Sequence, residues 1–175
     1  MRVAIRDCCL ALMIAGCAAG PAQAFSGGSG TCDATLASAM PMGTGTIGTG
    51  GYAVSLADGR YVPGQATTVT LSHVSDQAYK GLLIYAADSQ GNRVGTFTAP
   101  AGFRNMPACT PANAHLTHTT SMFKTVPLTL TWTPPATDVG PITFNQIVLL
   151  GFNSYFVFVS PPFAAERLFG NGFEP

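Results

Sequence analysis

Of 175 residues only 9% are charged, eight Lys or Arg against eight Asp or Glu, and 47% are hydrophobic, with 20 Gly and 13 Pro. A neutral chain with no basic run carries no electrostatic footprint for nucleic acid, and a chain this apolar is no disordered charged tail. So many Gly and Pro argue against a helical bundle, and the length suits one domain with a real core.

Residues 1–24 read as a signal peptide. Arg2 and Arg6 supply a positive start, residues 8–19 form an apolar run too short to span a bilayer, and Ala22-Gln23-Ala24 is a small-x-small cleavage site before Phe25. An alternative is an outer-membrane lipoprotein. Ile14-Ala15-Gly16-Cys17 resembles a bacterial lipobox, in which Cys17 would be acylated and residues 25–30 would serve as a tether. No later apolar run reaches 18 residues, so the mature chain has no expected transmembrane span. Cleavage after Ala24 leaves Cys32 and Cys109. In an exported chain two cysteines most simply form one disulfide, enclosing about 78 residues and worth roughly 4–5 kcal/mol in the chain-entropy account.

Residues 25–51 are rich in Gly, Ser, Thr and Ala without sustained periodicity, and read as an extended, loosely packed arm pinned by Cys32. From Tyr52 to about residue 163 the pattern is one of short strands between turns. Residues 52–56 alternate, with Tyr52, Val54 and Leu56 on one face. Residues 67–72 alternate again, with Val69 and Leu71 inward. Residues 81–87 are continuously apolar, as a central strand covered on both sides would be. Short strands follow at 93–98 and 116–120. Residues 128–132 alternate most clearly, with Leu128, Leu130 and Trp132 inward, and Pro134-Pro135 stops that strand. Residues 142–150 and 155–160 form a final pair around Gly151 to Ser154. About eight strands at this spacing predict an all-β, two-sheet antiparallel sandwich with one disulfide, a closed barrel being the alternative. Residues 164–175 read as a C-terminal tail. Its end, Phe169 to Glu174, resembles short tails that close many exported proteins of gram-negative bacteria.

The order of short motifs over about residues 32–160 resembles the reeler (reelin-type) domain family. The carrying residues are Cys32, Met40-Pro41, Gly51-Tyr52, Tyr61-Val62-Pro63-Gly64, Val69-Thr70-Leu71 and Tyr79-Lys80-Gly81 with Leu82-Leu83-Ile84. They continue with Gly95-Thr96-Phe97, Cys109, Leu116-Thr117-His118, Leu130 to Pro135 with Trp132 at the centre, Gly140, Phe144, and Tyr155-Phe156-Val157. The resemblance implies an immunoglobulin-like sandwich, an extracellular setting and a Cys32–Cys109 pair. The segment from Cys32 to Tyr52 matches loosely, and the domain stands alone, so functions of larger reeler-containing assemblies do not transfer.

Residues that could carry chemistry are few. His115 and His118 stand i, i+3, on opposite faces of a strand, and with His73 they are the whole histidine set. A metal site needs three or four convergent ligands, so no metal or cofactor is expected. The mature acids Asp33, Asp58, Asp76, Asp88, Asp138, Glu166 and Glu174 fall mostly in turns, where Asp caps the backbone. There is no nucleophile elbow and no phosphate-cradling loop, so the chain does not read as an enzyme. Lys80 reads as a strand-start lysine with its ammonium in water. Tyr61, Tyr79 and Phe103 are aromatics that could line a surface.

The expectation is an exported extracellular or envelope binding and adhesion module. Its ligand is unknown, and residues 57–66, 99–114 and 134–141 are the loops to inspect. A metal- or redox-associated envelope accessory protein is the alternative.

Overall fold

The computed structural model describes residues 26–166. The expected signal peptide, Cys17 and residues 167–175 of the expected tail lie outside the described residues.

A four-residue helix α1 (Leu36–Ala39) runs into a 3-10 turn (Met40–Met42), and ten strands follow. They are β1 (Thr46–Ile47), β2 (Tyr52–Leu56), β3 (Thr67–His73), β4 (Gly81–Ala87), β5 (Thr96–Thr98), β6 (Phe103–Asn105), β7 (His115–His118), β8 (Leu128–Thr133), β9 (Thr143–Gly151) and β10 (Ser154–Val159). They form two sheets, ordered β1-β10-β9-β4-β7-β6 and β2-β3-β8-β5. Every strand pairing is antiparallel except β1 on β10, which runs parallel, with Thr46 opposite Phe156.

The core follows from strict alternation. Tyr52, Val54 and Leu56 of β2 are buried while Ala53 and Ser55 are exposed. Across the ladder Val54 meets Leu71 and Leu56 meets Val69, and Val69 in turn meets Leu130. The large sheet sends Leu82, Ile84, Phe144, Val148 and Phe158 to the same layer. Trp132 is fully buried there, edge-on to Phe144 at 5.4 Å and to Tyr61 at 5.9 Å. Such edge-to-face pairs add specificity to area burial.

β4 is buried at every residue, as its unbroken apolar run predicts, and the cause is a second layer. Leu83, Tyr85 and Ala87 face away from the sandwich and pack with Ile147, Tyr155 and Val157 against Ala34 and Ala39 from the N-terminal segment. That segment is therefore not the extended, loosely packed arm expected of its composition. Thr35 caps α1 through a reciprocal pair with Ser38. Gly45 lies so close to Tyr155 that a Cβ would fall 2.0 Å from the ring. The glycines there permit close approach of backbone to aromatic rings, the opposite of looseness. The Cys32–Cys109 disulfide, with Cα atoms 5.6 Å apart, fastens the arm to the β6–β7 loop.

Candidate functional site

The sandwich has two ends. At one, here the hairpin end, lie the β9–β10 turn and the β3–β4, β5–β6 and β7–β8 loops, because Tyr52, Gly81, His118, Leu128 and Ser154 all sit at that end of their strands. At the other, the tail end, lie 57–66, 88–95, 106–114, 134–142 and the exit of the chain at Glu166.

Two of the three loops expected to carry recognition come together at the tail end. Gly64 N donates to Pro135 O at 2.8 Å, and Tyr61 Oη donates to Gly140 O at 2.6 Å and contacts Asp138 Oδ1 at 3.3 Å. The third, 99–114, is split. Residues 103–105 are strand β6, 99–102 lie at the hairpin end, and 106–114 lie at the tail end. Tyr61 and Tyr79 line no surface: both are fully buried, while Phe103 is half-buried against the core.

The histidines are each engaged locally. Buried His115 packs tilted against Tyr85 with centroids 5.0 Å apart. Desolvation first, then the Arg93 charge, pull its pKa below the ordinary histidine value; Asp33 and the Cys32 backbone act the other way. His118 Nδ1 accepts from Leu82 N at 3.1 Å, and its ring occupies the place a side chain at Gly81 would take. His73 organises a loop: Nδ1 accepts from Ser75 N and Gln77 N, and Nε2 contacts Gly50 O at 2.9 Å. Among the described residues no three His, Cys, Asp or Glu side chains gather as a metal site would require. Several acids hold turns, as expected. Asp88 Oδ1 accepts from Gln90 N and Asn92 N, both at 2.9 Å, and the Asn92 side-chain bond leads in lowering its pKa. Asp138 Oδ1 accepts from Gly140 N, and Asp33 pairs with Arg93.

A cleft opens between the arm and the large sheet, bordered by Gly28, Met42, Gly81, His118, Ile147 and Leu149. Its free space is about 50 Å³. That suffices for a few waters but lies far below the several hundred Å³ of a small-molecule site.

The sequence reading missed the hairpin end. Met40, Val74, Met122, Phe123 and Phe152, five of the seven large apolar side chains that stand exposed among the described residues, lie in or beside its loops. The visible signal was Met122-Phe123-Lys124, a bulky apolar pair inside a turn segment where polar residues are the rule. Lys80 reaches over the Phe123 ring at 4.6 Å, so its ammonium does not simply stand in water. Lys124 Nζ donates to the carbonyls of Thr120, Met122 and Lys80, pinning the loop. Burial lowers the Lys124 pKa from its usual value.

Among the described residues charge divides with the ends. Lys80, Arg104 and Lys124 stand against Asp76 at the hairpin end, and Arg60 and Arg93 against Asp33, Asp58, Asp88, Asp138 and Glu166 at the tail end. No helix among the described residues is long and apolar enough to cross a membrane.

Residues 31–167 match the family described as Reeler domain. No curated protein matches the chain. Among solved structures, the Reelin-N domain of F-spondin superposes with a TM-score of 0.60 at 17% identity, covering 76% of this chain and all (100%) of that one. A fragment of the human F-spondin reeler domain gives 0.57 at 15% identity, covering 71% and 96%. At these identities the likeness carries the fold alone.

Proposed function

We propose, from the premise that this chain belongs to the reeler domain family, that it is an exported, non-catalytic binding and adhesion module of the extracellular space or cell envelope. The observation that carries the reading is the distribution of exposed apolar side chains. The sandwich has a well-filled core and a second packed layer, and five of the seven large apolar side chains it leaves exposed among the described residues lie in or beside the loops of one end. Exposed apolar clusters mark interaction surfaces, and sandwich ends are where loops are free to vary. The signal-peptide pattern of residues 1–24 and the Cys32–Cys109 disulfide support an oxidising, exported setting.

The organisation that goes with this reading is a signal peptide at 1–24 and a disulfide-pinned segment at 25–51. The sandwich follows at 52–163, residues 164–166 close it through the Tyr61–Ala165 bridge, and the rest of 164–175 serves as a tail for sorting or docking. Acylation at Cys17 is the alternative start. The metal- or redox-associated alternative drew on His115 and His118. No observation favours it, since one ring is enclosed against Tyr85 and the other is tied to Leu82.

Binding of fluorescently labelled residues 25–175 to intact cells and isolated envelope tests the proposal. Saturable binding, competed by unlabelled protein, is expected. Absence of binding to cells, envelope, matrix protein and polysaccharide alike would contradict it.

A further inference from the structure

We propose that the hairpin end docks on an anionic phospholipid surface. The inference rests on the reading of the chain as an exported binding module, and names its target. Three independent observations converge on this end.

The first is apolar. Val74, Met122, Phe123 and Phe152 are 85%, 73%, 68% and 66% exposed and come from three separate loops, with Met40 beside them at 69%. Side chains from several loops can enter the boundary between headgroups and acyl chains together, as the apolar face of an interfacial helix does.

The second is charge. Among the described residues cations outnumber carboxylates at this end and are outnumbered at the other, so their charge is polarised from end to end of the sandwich. An anionic surface attracts the first end and repels the second, which orients the molecule. Lys80 sits on the Phe123 ring itself, pairing a headgroup-seeking cation with an apolar ring at one point.

The third is where the chain enters. Arg104 Nε donates to Gly27 O, and Ser29 N donates to Thr117 Oγ1, so the described chain begins at the hairpin end, over the outer face of β6 and β7. Acylation would put the lipid on Cys17, within at most about 30 Å of extended chain. The acylated start would tether this same end to the membrane.

A sulfated polysaccharide would engage the lysines but leave Val74, Phe123 and Phe152 in water. A second copy of this end would bring like charges together.

The test is co-sedimentation of oxidised residues 25–175 with vesicles of equal parts phosphatidylglycerol and phosphatidylcholine, or of phosphatidylcholine alone. The protein is expected to partition onto the anionic vesicles, to leave them at high salt, and to ignore the neutral ones. Met122→Ser with Phe123→Ser should lower partitioning at least about tenfold. Lys80→Gln should lower it about fivefold. If the double variant fails to fold, Phe152→Ser on the separate β9–β10 turn should show several-fold loss in its place.

No partitioning onto anionic vesicles would overturn the proposal, as would undiminished binding by the apolar variants. Cell binding that persists without vesicle binding would overturn the lipid target and leave the adhesion reading standing. Loss of both would remove both.

Discussion

Gly95 shows how a single residue holds the core. Its φ is +69°, and a Cβ there would fall 2.5 Å from Trp132 Nε1 and 2.6 Å from Thr133 O. Trp132 Nε1 donates to Val94 O at 3.4 Å, so this turn is shaped around the indole. Gly95→Ala combines a disfavoured backbone with overpacking, and should cost about 2–4 kcal/mol in urea unfolding. Trp132 is the chain's one tryptophan, so its fluorescence reads that transition directly. Tyr79 is the opposite case. Its hydroxyl is buried without a hydrogen-bond partner, and burial raises its pKa. Tyr79→Phe removes an unpaired polar group while keeping the ring, so the melting temperature should stay level or rise. His115 adds a pH dependence. Its folded pKa is depressed by burial, so on acidification the unfolded chain takes up a proton before the folded one does. The stability from neutral, buried His115 is complete above the unfolded pKa of about 6.5 and declines as pH falls below it. His115→Phe should flatten the fall in melting temperature between about pH 7 and pH 5 relative to the parent protein.

At the scale of elements, the arm is the piece whose role the composition concealed. It covers the outer face of β4, β9 and β10, which a two-layer sandwich would leave wet, and Cys32–Cys109 holds it there. The bridge spans a sequence separation of 77 residues. Replacing both cysteines by Ser should therefore lower stability by about 2–5 kcal/mol in urea titration. It should also expose Leu83, Tyr85 and Ile147, a change that binding of an apolar dye reads out. The strands that sequence made legible are those whose period carried information. Residues 52–56 and 81–87 match β2 and β4 at both ends, one by alternation and one by an unbroken apolar run. β1 was invisible, because two exposed residues on a sheet edge carry no pattern. β6 was invisible for a similar reason, being three residues with an exposed Arg104 at the centre. Hence ten strands stand where about eight were expected. Glycine misled more than any other residue. It signals freedom in an isolated segment, but Gly45 and Gly81 mark places where Tyr155 and His118 take up the missing side chain's volume. The candidate surface was least legible, because Val74, Met122–Phe123 and Phe152 lie far apart in sequence and meet only through topology.

The chain is neutral in sum, and its described residues are polar in arrangement, with a basic, apolar end where they begin and an acidic end where they stop. That arrangement gives meaning to the processing of the first 24 residues, since processing decides whether the chain carries a lipid on Cys17. Export and oxidation are both read from the intact mass of the natively exported protein, taken without reductant. The expected mass is that of a chain that starts at Phe25, or at an acylated Cys17, and is lighter than its reduced form by the two thiol hydrogens of Cys32 and Cys109. A chain that keeps residues 1–24 and carries both thiols free would contradict it.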